Sequence, residues 1–449
     1  MTSATESRVA VKTSNFRWVV AALIFVIYTI ASADRANIGF ALPFIRKEFA
    51  MTNLEAGALL SLFLWGYALM QIPSGFATGR MGVRLLFPAA MVLTSLFTGL
   101  VGTAGSALML KLYRFGLGIA EGPMPIAITT TINNWFPPRE KGTASGIFLS
   151  AVKFGPVIVP PVCAVIVSVW GWREIFYICA VPGLLLAVIW YCLVPNSPSA
   201  SRFCSASEIA HIADRDVAVA TSGKPRKQRS FGMLDTLIRA RTVPSLESTR
   251  DVFRSWDVWG CALGYSFQLG ISNVLLAWIP TYLLTVKKFS VMGTGMVAAA
   301  PWVGAVVGNI VGGWVSDRLL NGRRKPGMLF SAVATTCMMY ALIDSPANPV
   351  LYGLLLFATG VLLSIGFSAY MAYPMALASK PTFPIASALV NTGGQIGGAC
   401  APLMVGFLLD GYGWNSVFLA MAAGSLLSFA AVATIVEPLA HQPRGSVTT

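Results

Sequence analysis

The chain has 449 residues, of which 55% are apolar and 11% charged; an ordinary soluble domain carries about 25% charged residues, so a water-soluble globule is excluded. A helix that crosses a bilayer uses about 20 mainly apolar residues, and twelve such helices would take roughly 240, close to the apolar content of this chain. Lys and Arg outnumber Asp and Glu by 32 to 18, a net +14 that in a soluble protein would point to nucleic acid; here the excess has a topological origin, and no nucleic-acid partner is expected.

A polar tail (1–16) precedes the first apolar run, which leads into Asp34 and Arg35 with no small-residue cleavage site, so the run reads as a retained span. Apolar runs punctuated by Gly, Pro and charge predict twelve helices, at 17–40, 54–77, 85–104, 108–133, 142–167 and 174–194 in the first half. The second half supplies 257–284, 291–316, 327–343, 348–376, 384–409 and 414–436. A hydrophilic stretch, 195–256, separates the halves and reads as a flexible linker, basic at Lys224–Arg229. The fold class expected is an all-α membrane protein with two pseudo-symmetric six-helix bundles, 17–194 and 257–436, and a C-terminal tail at 437–449. Alternate loops hold 23 Lys and Arg on one side and five on the other. By the positive-inside rule both termini and the central loop are cytoplasmic, with anionic headgroups as partners of the basic loops.

Seven scattered Cys, without a C-x-x-C, read as small core residues, and the two His (His211 and His441) lie in hydrophilic segments. Neither a metal nor another cofactor is expected. No G-x-S-x-G or H-E-x-x-H is present, which argues against a membrane-embedded enzyme.

The halves match at an offset of 242: Ser145 with Ser387, Gly155 with Gly397, Pro160 with Pro402, Trp172 with Trp414 and Phe176 with Phe418. Two repeats of the same polarity are implied, a layout that puts a binding site near the midplane between them. G-F-A-T-G-R at 75–80 and G-W-V-S-D-R at 313–318 follow the second helix of each half. On these residues the chain resembles the major facilitator superfamily, whose signature there is G-x-x-x-D-R-x-G-R followed by Arg or Lys. The second copy keeps Gly313, Asp317, Arg318, Gly322, Arg323 and Arg324. The first keeps Gly75, Arg80, Gly82 and Arg84 but has Gly79 where the acid belongs. The resemblance implies a conformational gate at Gly75, Arg80, Asp317 and Arg318. More narrowly, D-R-A-N-I-G (34–39), R-F-G-L-G-I-A-E-G-P (114–123), N-W-F-P (134–137), W-I-P-T-Y-L (278–283) and N-T-G-G-Q-I-G-G (391–398) resemble the anion:cation symporter family of bacterial hexuronate, galactonate and phthalate carriers. That family implies an inner-membrane, multi-pass monomer carrying a small carboxylate.

Charges at the bilayer centre cost at least about 2.5 to 3.5 kcal/mol, so intramembrane ionisable residues mark function. Five stand well inside predicted spans: Asp34, Arg35, Arg114, Glu121 and Lys153. Their counterparts at the 242 offset are Leu276, Ala277, Leu356, Leu363 and Gln395, so the charged machinery belongs to the first half. Arg114 and Glu121, seven apart, share a helix face roughly 10 Å apart along the axis. Asp34 and Arg35 project about 100° apart, so Arg35 can face a cavity while Asp34 meets a neighbouring helix. Arg35 and Arg114 are read as a carboxylate clamp, with Asp34 and Glu121 as proton-coupling acids; mere pairing between the first and fourth helices is the plainer alternative. Lys153 hints at a second carboxylate. Asn391 and Gln395, one turn apart, can present amides to the substrate, and Tyr67 faces the same cavity. The Gly pairs 118/122, 308/312 and 394/398 read as close-packing spacings. The function expected is proton-coupled import of an organic anion, a sugar acid, hydroxy-dicarboxylate or aromatic carboxylate, by alternating access. A non-transporting carboxylate receptor is the alternative, and sodium in place of protons stays open.

Overall fold

The computed structural model describes residues 14–137, 140–213, 232–343, 345–379 and 381–439. The basic run at 224–229, His441 and most of both tails lie outside these residues. The first half comprises α1 (Phe16–Glu48), α2 (Asn53–Met81), α3 (Val83–Thr103), α4 (Ala107–Glu121), α5 (Met124–Trp135), α6 (Lys141–Val169) and α7 (Trp172–Leu193). Three short helices follow, α8 (Ala206–Ala213), α9 (Met233–Leu237) and α10 (Thr249–Arg254), with a strand β1 (Ala240–Thr242) before the last. The second half is α11 (Trp256–Thr285), α12 (Val291–Trp314), α13 (Lys325–Ile343), α14 (Pro349–Ile365), α15 (Phe367–Leu377), α16 (Phe383–Gly411) and α17 (Gly413–Thr434), closed by β2 (Glu437–Leu439).

Each half contains six crossings, as the apolar runs predict, but two of them are broken. The fourth divides into α4 and α5 at Gly122 and Pro123. Pro123 and Pro125 have no N–H, so two helical hydrogen bonds are missing just after Glu121. The tenth divides into α14 and α15 at Gly366, where a Cβ would lie 2.8 Å from that of Ser331. The breaks fall at related places in the two repeats.

The central segment differs from the flexible linker expected. Glu208 of α8 accepts the N–H groups of Phe16 (3.1 Å) and Arg17 (3.0 Å), two donors that the start of α1 would otherwise leave unpaired. Arg17 also pairs with Glu140 at 2.7 Å. That hydrogen bond holds the Glu140 carboxyl below the usual carboxylate range. Burial pushes Glu208 upward, but the hydrogen bonds from Arg17, Ser14 and Phe16 outweigh it and hold it low. Farther on, β1 pairs in parallel with β2, and Asp235 binds Arg323 at 2.6 Å. One end of the segment is therefore fastened to the first half and the other end to the second. Both fastenings are polar and join residues far apart in sequence, so hydropathy gives no sign of them.

The halves meet along three helix pairs, α1 with α11, α2 with α16 and α6 with α12. A Cβ on Gly39 would lie 2.6 Å from the Leu276 carbonyl, and one on Gly57 would lie 2.5 Å from the Pro402 carbonyl. Asp410 at the end of α16 crosses to the start of α2, where it accepts the N–H groups of Asn53 (3.0 Å) and Leu54 (2.9 Å). Thr52 and Glu55 form a capping box beside it. The first-turn donors of α2 are thus satisfied in part by the opposite half. These contacts all belong to the end that carries the α1–α2 loop. Toward the end carrying the termini the halves part: Gly75 and Gly79 of α2 and Gly142 and Gly146 of α6 face open space, and Asn391 of α16 is exposed.

Asp410→Ala is expected to weaken this closure by about 1 to 2 kcal/mol, the usual effect of a lost helix cap. Spin labels at the exposed Gly105 and Ala347, on loops of the closed end, should report a longer distance in the variant. An unchanged distance distribution would remove the cap from the closure.

Candidate functional site

The intramembrane charges gather where α1, α2 and α4 pack. Gly118 lets α4 approach α2 so closely that a Cβ there would collide with the Phe63 carbonyl, and a Cβ on Gly122 would lie 2.6 Å from that of Met70. This brings Arg114 and Glu121 of α4 beside Phe63 and Tyr67, which lie one turn apart on α2 with their rings stacked at 6.3 Å.

Arg35 donates from Nε (2.9 Å) and Nη2 (2.6 Å) to the same oxygen, Oε1 of Glu121. Its guanidinium lies 4.5 Å from the Tyr67 ring and 5.7 Å from that of Phe63, a cation–π arrangement that holds the fork in position. The Arg35 side chain is 22% exposed, whereas that of Glu121 is fully buried. Among the described residues Glu121 Oε2 is buried and meets no donor.

Asp34 points away from this pair, as its neighbouring position on the helix requires. Its two oxygens accept from Asn37 and from Thr98 of α3, both at 3.0 Å. Arg114 is only 2% exposed. It donates to the Asp34 carbonyl at 3.3 Å and lies 4.5 Å from the Phe63 ring, and its Nε has no acceptor among the described residues. The two arginines thus share the ring of Phe63, with Arg35 toward the opening and Arg114 behind it. Phe63 escaped the sequence reading because an aromatic in an apolar span carries no distinguishing signal.

Lys153 reaches across to the second half, 5.0 Å from the ring of Phe367 and 5.6 Å from that of Trp302. Phe367 opens α15 directly after the Gly366 break, and its ring makes an edge contact with Tyr265 at 5.6 Å. Of the two amides read from the sequence, Gln395 is half-buried and Asn391 is exposed, its Nδ2 donating to the Ser387 carbonyl at 3.1 Å.

The gate motifs sit at the parted end and are unequal. Asp317 binds Arg324 at 2.9 Å, and the adjacent Arg323 reaches Asp235. Arg318 is exposed. In the first half Gly75 faces open space and Arg80 is exposed, and Gly79 supplies no carboxylate to mirror Asp317.

Two repeated six-helix bundles, the first carrying a buried charge cluster, joined at one end and parted at the other, define a secondary transporter of the parallel-repeat class. The chain belongs to the Major Facilitator Superfamily, whose family model matches residues 24–382; it is a multi-pass membrane transporter and not an enzyme. It is 31% identical over 399 residues to the "Probable L-galactonate transporter" of Escherichia coli (strain K12), covering 86% of this chain and 82% of the relative. It is 29% identical to a "Probable sulfoacetate transporter" of Cupriavidus necator over 94% of each chain. Among solved structures it is similar to a bacterial homolog of the human lysosomal transporter Spinster in an inward-facing and occupied conformation. That likeness has a TM-score of 0.72 at 18% identity and covers 94% of this chain and 96% of that one.

Proposed function

We propose that this transporter imports a small organic acid together with a proton by alternating access. Both termini are cytoplasmic in this reading, so the parted end faces the cytoplasm and the structure is an inward-open state. The observation that carries the reading is the partly exposed guanidinium of Arg35, held between aromatic rings and paired with a fully buried carboxylate. An anion arriving from the vestibule competes with Glu121 for that fork. A proton on Glu121 removes the competitor, so proton and anion each favour the binding of the other. Glu121 Oε2, without a donor, is the free position for that proton. Asp34, with both oxygens occupied by Asn37 and Thr98, serves as a fixed counter-charge beside Arg114. Tyr67 and Gln395 line the substrate's path, and Asn391 meets it nearer the cytoplasmic mouth. The Asp317–Arg324 pair and Arg318 act on the gate of the second half, while Gly75 and Arg80 leave the first half without a matching acid. The relatives' substrates, galactonate and sulfoacetate, support an organic acid as cargo.

Uptake of labelled galactonate, galactarate, sulfoacetate and phthalate into proteoliposomes, with and without an inward pH gradient, tests the reading. Accumulation that an uncoupler abolishes is expected for at least one compound. Saturable binding with no filling of the internal volume would instead make the protein a receptor.

A further inference from the structure

The register between α6 and α12 sets Lys153 apart from the other charges. These helices run antiparallel: Gly295 meets Pro160 and Ala164, Trp302 meets Lys153, and one step farther Gly146 faces open space. Lys153 is therefore the last rung before the halves part, at the roof of the vestibule. Its depth lies within two turns of that of Arg35, because Ser32, one turn before Arg35 on α1, donates to the carbonyl of Ala151 at 3.2 Å. A Cβ on Gly155 would lie 2.6 Å from the Thr29 carbonyl. The residues on either side of Lys153 are thus packed on α1 about 4.5 to 9 Å from Arg35 along its axis, at Ser32 and Thr29.

The charges of this region are Asp34, Arg35, Arg114, Glu121 and Lys153. Arg35 has Glu121 as its partner, and Arg114 donates to the backbone carbonyl of Asp34. Among the described residues, the ammonium of Lys153 meets the rings of Trp302 and Phe367 and no carboxylate. Of the three cations, Lys153 is the one with neither a hydrogen bond nor an ion pair among the described residues, and it stands against two flat apolar surfaces that lower the local dielectric and strengthen its pull on an anion.

Building on the organic-acid reading above, we propose that the substrate is an organic dianion with acidic groups at two ends. One group is held by the fork of Arg35 and the other by Lys153, with Trp302 and Phe367 walling the second subsite. The charges close: the five groups sum to +1, a proton on Glu121 makes +2, and a dianion brings the loaded site to zero. A monoanion under the same conditions leaves a net charge in the apolar interior as the bundles rock.

The test uses pairs of compounds that differ by one acidic group: galactarate and galactonate, phthalate and benzoate, sulfoacetate and acetate. In wild-type proteoliposomes at least one dianion should be taken up with a kcat/KM at least about tenfold above that of its partner. Lys153→Gln should lower that ratio by about tenfold to a hundredfold, the worth of a lost charge-assisted hydrogen bond, and Lys153→Arg should restore most of it. Equal handling of both members of every pair, or an equal loss of both in Lys153→Gln, would overturn the dianion proposal while leaving the carrier reading standing. Uptake of none of the six compounds would defeat the carrier reading and this inference with it.

Discussion

Arg35→Gln is expected to lower the kcat/KM of uptake by about a hundredfold or more. The fork now spends two donors on Glu121 at 2.9 and 2.6 Å, and these are the donors an incoming carboxylate takes over. Hydrogen bonds to charged groups contribute about 1.5 to 3 kcal/mol each, so the loss of two exceeds the roughly 2.8 kcal/mol that a hundredfold corresponds to. Arg35→Lys should recover part of the rate, because an ammonium keeps the charge but not the planar fork or its stacking on Tyr67. Removing Arg35 also leaves Glu121 buried without a counter-charge, a change that typically costs about 3 to 5 kcal/mol of stability. The double variant Arg35→Gln, Glu121→Gln separates the two effects: its thermal stability in detergent should return toward wild type while its uptake stays low. Recovery of uptake along with stability would show that Arg35 acts only as a structural partner.

Much of the scaffold can be read from the chain alone, because apolar runs of this length leave the backbone little choice but helix. The 242-residue repeat finds the matching glycines as well. Gly155 packs on α1 and Gly397 on α11, each with a neighbouring serine hydroxyl where its Cβ would be. The divergence of Asp34 and Arg35 follows from helix geometry. Partner choice across helices does not. Two arginines, Arg35 and Arg114, could each meet either of two acids, Asp34 and Glu121, and only the close approach of α2 and α4 decides that Glu121 meets Arg35 while Arg114 stays behind Phe63. The same holds for Asp410, an acid at a helix end whose role depends on a start site 357 residues away. The break at Gly366 is silent too, since a glycine in an apolar span is common and only the approach of Ser331 makes this one necessary.

Glu121→Gln is expected to abolish accumulation against a gradient while exchange across the membrane continues. Glutamine keeps the volume of the side chain and an oxygen able to accept from Arg35, so α1 and α4 stay joined; what it loses is the site for a proton. For a carrier coupled to one proton, an inward gradient of one pH unit supports about a tenfold substrate gradient. That gradient should fall to about one in the variant. In the wild type, apparent affinity should rise as the pH falls, because the protonated acid releases Arg35 to the anion; in the variant it should be flat with pH. Asp34→Asn is the informative contrast. Two donors, from Asn37 and Thr98, converge on Asp34, and an amide cannot accept at both positions, so that variant should lose about 1 to 3 kcal/mol of stability yet retain pH-dependent accumulation. If Glu121→Gln still accumulates substrate and Asp34→Asn does not, the proton is taken up on α1, and the empty oxygen of Glu121 has another purpose.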